Sequence, residues 1–480
     1  MTLRLHNTLT RLVEPLQLGS PGTVLLYACG PTVHARAHVG NLRTFLFVDC
    51  LRRHLEATGL AVRHVMNITD VEDKIIRKAG AAGTPIETFT APFVDAFHRD
   101  VRRLRLRPAH AYPHATAYIG QMLELVRRLE AKGFTYIADG SVYFRVDAFP
   151  PYGRLAGLDV DGLRAGGSGR VDADEYEVKE QARDFVLWKA VAPGEGASWP
   201  SPYGPGRPGW HLECSTIAMA ELGETVDVHC GGVDLIFPHH ENEIAQSEAA
   251  TGRPFVRTWV HTELLHRGGA KMAKSVGNLV TLSELEEAGV DPLTVRFHLL
   301  AGAHYRRTLH FREEDLAGAA EAVGRLAAFW RRCAEVGRPG PEPDGARGDP
   351  LAAVAEDAGR RFTAALDDDL NLPAGVAVAF DLVREGNRLL DRGEAQGAGA
   401  RAAARALLAI DDVLGCIEAA AGAGVADAPL SSAAQALLQR RETARRAGDF
   451  AAADRVRAEL RGLGIVVEDQ PQGTRWRRVG

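Results

Sequence analysis

The stretch from residue 24 to residue 67 constrains this fold more than any other. Residues 24–27, Val-Leu-Leu-Tyr, form an apolar run without polar alternation, the pattern of a strand buried on both faces. Gly30-Pro31 breaks it. From about Gly40 a helix follows, with Phe45, Phe47 and Leu51 on its apolar face, and residues 62–67 read as the next strand. Strand, turn, helix and strand in that order predict a βαβ unit and therefore a parallel sheet. The expected fold class is α/β, built on a Rossmann-like parallel sheet.

The remaining length must hold more than that unit. A chain of 480 residues has room for roughly two to four domains of ~100–200 residues each. Between about 111 and 199 the pattern changes: short strands such as Ser141-Val142-Tyr143-Phe144 alternate with Gly/Asp-rich loops, including 165–169, which predicts an inserted module. Residues 184–188 and 226–228 restore sheet-like runs. After about residue 291 the chain turns helical and Ala-rich, with amphipathic helices at 315–335, 351–366 and 371–392. A Pro/Gly-rich loop fills 337–350, and a small-residue linker at 419–429 sets off a basic tail. The predicted division is a parallel-sheet domain in two halves, 1–110 and 200–260, interrupted by the module 111–199. A connecting region, 261–314, an α-helical bundle, 315–417, and a small C-terminal domain, 430–480, then follow.

Bulk composition narrows the class. With 46% hydrophobic and 25% charged residues the chain is ordinary globular protein, and no run approaches the ~20 apolar residues that span a bilayer. No apolar signal core is apparent at the N-terminus. The six cysteines, at 29, 50, 214, 230, 333 and 416, lack disulfide-framework spacing, so a reducing, cytoplasmic setting without membrane contact is expected. Net charge is −5, yet residues 431–480 carry ten arginines against six acidic residues. A basic tail on an acidic body suits nucleic acid or a solvated helix face. Only seven of the 57 basic residues are lysines, and none follows Lys274. A lysine that persists in such a chain marks a place where a compact ammonium is wanted.

Three local patterns carry chemistry. Phe237-Pro238-His239-His240-Glu241-Asn242-Glu243 packs two imidazoles and two carboxylates into five residues, with Pro238 expected at a helix start. His239 and Glu243 are four apart and share a helix face, a plausible zinc-binding pair in a chain with free cysteines. His38-Val39-Gly40-Asn41 falls where the first helix begins, and a helix N-terminus offers N–H donors to phosphate, although a capping turn explains the same residues. Lys271-Met272-Ala273-Lys274-Ser275 places two ammoniums on a Gly-flanked loop, suited to a leaving pyrophosphate or to solvent. There is no P-loop motif. Residues 204–209 match GxGxxG, but their prolines remove the N–H donors a dinucleotide needs.

The His38–Asn41 and Lys271–Ser275 elements, roughly 230 residues apart, resemble the HIGH and KMSKS signatures of class I aminoacyl-tRNA synthetases. Cys29-Gly30-Pro31-Thr32-Val33, Asn67-Ile68-Thr69-Asp70, Pro208-Gly209-Trp210-His211-Leu212-Glu213-Cys214 and the His-rich run narrow the likeness to cysteinyl-tRNA synthetases, across the whole chain to Arg475-Trp476-Arg477-Arg478. That resemblance implies a zinc ion held by Cys29, Cys214, His239 and Glu243; His229, Cys230 and His240 are rival ligand candidates, read instead as structural. It implies catalytic roles for His38, Asn41, Lys271 and Lys274, and a nucleotide site made by His38, Asn41, Gly232, Asp234 and Lys274. Gly30, Thr69 and Trp210 would line the amino-acid site. The expected substrates are L-cysteine, ATP with Mg2+, and tRNA-Cys, with the chain acting as a monomer.

The implied zinc has a physical purpose. A thiolate is a far better zinc ligand than a hydroxyl, whereas shape alone separates near-isosteres by only ~10–200-fold. The resemblance further implies that 261–314 contacts the stem of the tRNA, 315–417 binds it, and 430–480 reads the anticodon. Four positions depart from the family pattern: Asn41 in place of His, Ala273 in place of Ser, and Cys230 and Val233 where Gly and a small polar residue are usual. The competing readings are a cysteine:amine ligase of the mycothiol type, which lacks a tRNA-reading C-terminal part, an inactive tRNA-binding paralogue, and a zinc hydrolase.

Overall fold

The structure, a computed structural model, describes residues 3–158, 179–181, 183–192, 196–272, 277–337, 348–417, 420, 432–447, 449–462, 465–470 and 473–478. The chain divides into two compact units. One comprises Met1–Ala320, Asp357–Ala379 and Asp412–Leu414; the other comprises Glu321–Glu356, Phe380–Asp411 and Gly415–Gly480.

The first unit is built on four parallel strands: β1 (Thr23–Ala28), β2 (Ala61–Met66), β3 (Val226–Gly232) and β4 (Val256–Thr262). Their spatial order is β4-β3-β1-β2, and every pairing is parallel. Val24, Leu26, Tyr27 and Ala28 are all buried, as a strand covered on both faces requires. The helix α1 (Val39–Ala57) connects β1 to β2, so the βαβ unit read from 24–67 is present. Because β2 lies to one side of β1 and β3 to the other, the winding reverses between β1 and β3. Open α/β sheets bind ligands at such a reversal, beyond the carboxyl ends of the strands.

Between β2 and β3 the chain makes a separate antiparallel sheet from Thr135–Ala138, Ser141–Phe144, Phe185–Ala190 and Gly206–Pro208. Its last strand lies beyond residue 199, and the Gly-rich 165–169 segment lies outside the described residues. Phe144, Phe185 and Trp188 of this sheet share one buried core with Tyr27, Val65 and Trp259 of the parallel sheet. The helix α2 (Trp210–Leu222) leads out of the insertion and α3 (Glu241–Thr251) follows β3. Fully buried Arg296 ties the unit together. Its guanidinium donates to the Leu104 carbonyl at 2.8 Å and to Asp49 Oδ2, on α1, at 2.7 Å.

Four longer helices follow, Asp315–Val336, Pro350–Asp367, Leu372–Asp391 and Gly397–Leu414. Within the second unit, Phe329 packs where a Cβ on Gly386 would sit, 2.4 Å from its ring, and Arg332 bonds Asn387 and Asp391 at 2.6 Å each. The same unit ends in two helices, Ser432–Arg446 and Phe450–Gly462, and the antiparallel hairpin Ile465–Gln470 with Gly473–Arg478. Val456, Leu460 and Val467 form its small core with Leu437 and Leu438. Most of the 419–429 linker lies outside the described residues. No helix among the described residues is long and apolar enough to cross a membrane.

Candidate functional site

Cys29 is the first residue after β1, and its backbone N–H bonds the Cys230 carbonyl of β3 at 3.2 Å, across the reversal of the sheet. Cys214 comes from α2 and Glu243 from the first turn of α3. The His-rich run departs from the expected regular helix. Phe237 is extended (φ −134°, ψ 133°), a wide helical turn covers Ile236–His240, and the α-helix proper begins at Glu241. Pro238 therefore lies inside that wide turn rather than at the start of the α-helix. His239 and Glu243 nonetheless meet, Nε2 to Oε1, at 3.0 Å.

The donor atoms of Cys29, Cys214, His239 and Glu243 all lie within 4.8 Å of one another, and all four residues are buried. The two sulfurs are 3.7 Å apart, and Cys29 Sγ is 3.8 Å from Glu243 Oε1. Zinc bonds of ~2.0–2.3 Å at tetrahedral angles place ligand atoms about 3.5 Å apart, so this cluster has the right size as well as the right sulfur, nitrogen and oxygen set. A second group, Cys29, His229, His240 and Glu243, satisfies the same spacing, so the sequence's neighbouring histidines are candidate donors too. Cys230 belongs to neither group; burial pushes its thiol well up. All six cysteines are free and buried.

Electrostatics set the protonation of the cluster. Cys214 falls to about 6 because it accepts a hydrogen bond from Cys29, which with burial climbs well above its usual range. Burial alone would lower His239, but the charges of Glu243 and Cys214 carry it up to about 9. Burial would raise Glu243, and the facing His229 and His239 instead hold it down at about 2. One thiolate and one carboxylate thus face one imidazolium in a dry pocket, a net charge of −1 that a metal cation in place of the proton would offset.

Around the cluster lies a shell that the residue patterns did not reveal. His211 Nδ1 faces His239 Nδ1 at 2.9 Å, fixing which imidazole nitrogen is left to point inward. His240 Nε2 is 3.3 Å from Cys29 Sγ, while its Nδ1 meets His261 Nε2 at 2.7 Å, and His261 Nδ1 meets Thr8 Oγ1 at 2.7 Å. His211 had a readable signal, since it stands three residues before Cys214 on one helical face. Thr8 and His261 had none, being brought in by sheet register.

The residues expected to line the amino-acid site lie by this cluster. The Trp210 ring stacks on His239 with centroids 4.2 Å apart and planes at 27°. Gly30 N–H donates to Asn67 Oδ1 at 2.9 Å, and the Asn67 amide donates to Thr69 Oγ1 at 3.1 Å. A Cβ on Gly30 would sit 1.7 Å from the Asn67 carbonyl oxygen, so no larger residue fits there.

The end of β3 separates this cluster from the signature residues. A Cβ on Gly231 would meet His240 Cε1 at 2.5 Å, whereas one on Gly232 would meet Asp234 Oδ1 at 2.5 Å. Asp234 in turn pairs with Lys271 Nζ at 3.7 Å. His38 is the N-cap of α1: its Nδ1 accepts from Gly40 N–H at 3.1 Å, and its own N–H donates to Asn41 Oδ1 at 3.2 Å. The capping reading and the phosphate reading are compatible, because an accepting Nδ1 leaves Nε2–H as a donor. Burial lowers His38, partly opposed by Asp234, so the ring is neutral.

The two signatures are joined. Val39 N–H bonds the Val280 carbonyl at 2.9 Å and His38 bridges Thr281, just past the lysine loop. Lys271 lies in the short strand Ala270–Lys271, paired with Leu265–Arg267. Lys274 lies outside the described residues, as do Ala273 and Ser275. Arg43, a further residue unremarked in sequence, holds this arrangement from α1. Its guanidinium donates to the carbonyls of Glu263, Leu264, His304 and Arg307.

Comparison with known proteins bears on this geometry. Residues 15–321 match the model of the class I (C) tRNA synthetase catalytic domain, 361–418 the DALR domain, and 427–477 the cysteinyl-tRNA ligase anticodon binding domain. The cysteine–tRNA ligase of Solibacter usitatus (strain Ellin6076) is 44% identical over 479 residues, covering 100% of both chains. The chain belongs to the cysteine–tRNA ligase family. A second member, from Symbiobacterium thermophilum, is 43% identical over 481 residues, again covering 100% of each chain. The family comprises ATP-dependent class I aminoacyl-tRNA synthetases, and its fold extends to distant relatives. A Mycobacterium tuberculosis methionyl-tRNA synthetase in complex with methionyl-adenylate aligns with TM-score 0.61 at 18% identity, covering 90% of this chain and 96% of that one.

Proposed function

We propose that this chain activates L-cysteine with ATP to cysteinyl-adenylate, releasing pyrophosphate, and transfers the cysteinyl group to the 3′ end of tRNA-Cys. The observation that carries the cysteine specificity is the buried cluster of Cys29, Cys214, His239 and Glu243, within 4.8 Å of one another beside the joined signatures. These four residues would hold zinc, preferred over the group with His229 and His240 because it offers two sulfur donors. Zinc held there supplies a soft acceptor for the substrate thiolate that a serine hydroxyl cannot match.

The protein's own groups do the rest. Trp210, stacked on His239, and the Gly30–Asn67–Thr69 chain shape the pocket for the cysteine side chain and backbone. Gly232 and Asp234 receive the ribose of ATP, delivered with Mg2+. His38 and Asn41, at the positive end of α1, donate to the α-phosphate as the cysteine carboxylate attacks it. Lys271 and Lys274 stabilise the pyrophosphate that leaves. Residues 261–314 would contact the acceptor stem, the helices of 315–417 the body of the tRNA, and 430–480 the anticodon.

Cysteine-dependent ATP–pyrophosphate exchange, followed by charging of tRNA-Cys, tests this reading. Exchange without charging would favour transfer to an amine instead, and absence of exchange from zinc-loaded protein would reject activation altogether.

A further inference from the structure

A cleft of about 530 Å³ opens in the first unit, next to the first signature. One wall is the helix Ile86–Arg103, from which Arg99, Arg102 and Arg103 line the cleft. Their spacing of three and four residues puts them on one helical face. Facing it are Arg36 and the helix Leu282–Glu287, which contributes Ser283 and Glu286. Thr281, which caps that second helix, is the residue bridged to His38.

The cations are not consumed by the acids around them. Arg103 pairs with Glu286, but Arg36, Arg99 and Arg102 are exposed and make no direct ion pair among the described residues. Arg36 and Arg99, from opposite walls, both act on the carboxyl of Asp100, which burial pushes up to about 6. Four guanidinium forks thus line one cleft against three carboxyls, Asp100, Glu286 and Glu287, in a protein whose net charge is −5. Such forks match phosphate geometry.

Resting on the proposed transfer to tRNA, we infer that this cleft holds backbone phosphates of the tRNA acceptor end, on Arg36, Arg99 and Arg102. The distances suit it. Arg36 is two residues from His38, at most about 7 Å along the chain. A terminal ribose brought to the adenylate would then have the phosphates that precede it within reach of Arg36. Along the helix, Arg99 and Arg102 are about 4.5 Å apart in rise, between one and two nucleotides of a strand that rises about 3.4 Å per residue.

The test is the full-length Arg99→Gln/Arg102→Gln protein, both positions being exposed. KM for tRNA should rise about tenfold or more while cysteine-dependent exchange without tRNA stays within about twofold. The slope of log kcat/KM against log salt should fall by about 1.4, since each single-strand phosphate that a cation neutralises adds about 0.7. A minihelix carrying only the acceptor stem should show the same loss as whole tRNA. An unchanged KM overturns the inference. So does a loss seen with whole tRNA and not with the minihelix, or an equal loss of exchange. If the unaltered protein performs exchange yet charges no tRNA, it is the proposed transfer that fails.

Discussion

Arg43 gives the sharpest prediction about how the two signatures are held together. Its side chain is buried, and three of its four bonds to main-chain carbonyls measure 2.8, 2.9 and 3.1 Å. Hydrogen bonds from a charged donor contribute about 1.5–3 kcal/mol each, so these three contribute roughly 4.5–9 kcal/mol gross. Burial costs the guanidinium part of that: it is lowered to about 10, which corresponds to about 3 kcal/mol. Arg43→Met, which keeps the aliphatic stem, should destabilise the first unit by roughly 2–6 kcal/mol, from the difference of those terms. Arg43→Lys keeps the charge but has no fork to reach both pairs of carbonyls, and should lose about half as much. The carbonyls of Glu263 and Leu264 immediately precede the strand paired with Lys271, so KM for ATP should rise in both variants while zinc content is unchanged. Urea unfolding, zinc content and pyrophosphate exchange on the three proteins check this. A methionine variant with the parent's urea midpoint and KM for ATP would show that Arg43 does not hold the signatures together.

Other substitutions separate the parts of the site. Cys214→Ser should lose zinc and cysteine affinity together, read by metal analysis and by KM for cysteine in exchange; a variant that keeps both shows the ligand set to be wrong. His211→Leu removes the partner that orients His239 and should weaken zinc binding about 10–100-fold in chelator competition, with the fold retained. Gly30→Ala sets a methyl group against a carbonyl oxygen that cannot rotate away and should cost at least about 3 kcal/mol, seen as a lowered melting temperature. Gly232→Ala meets only the movable Asp234 side chain, so it should leave stability within about 1 kcal/mol but raise KM for ATP by displacing that carboxylate from Lys271.

Much of this was legible in the residues because local patterns obey local rules. The apolar run at 24–27, its Gly-Pro break and the helix after it became β1, Cys29-Gly30 and α1 within a residue or two. The helices at 315–335 and 351–366 were likewise marked by their periodicity. Three strands were harder. Val256–Thr262, read Val-Arg-Thr-Trp-Val-His-Thr, is neither a continuous apolar run nor a strict alternation, and the short hairpin Arg4–Asn7 with Leu12–Pro15 has no turn dipeptide between its strands. The start of α3 was misplaced because a proline after an extended Phe237 reads like the first turn of a helix. Within the site, helical spacing paired His239 with Glu243. Nothing in spacing could pair Cys29 with Cys214, 185 residues apart, except the resemblance to a family. Arg43, His261 and Thr8 stayed invisible because their partners are carbonyls and rings delivered by tertiary register.

On the proposed function, a buried two-sulfur metal site chooses cysteine over its oxygen analogue. The most direct measurement is kcat/KM for ATP–pyrophosphate exchange with cysteine and with serine on the zinc-loaded protein. The ratio should lie well above the ~10–200-fold that shape alone provides and collapse when the metal is removed. A ratio inside that range, or one that survives loss of the metal, would contradict it.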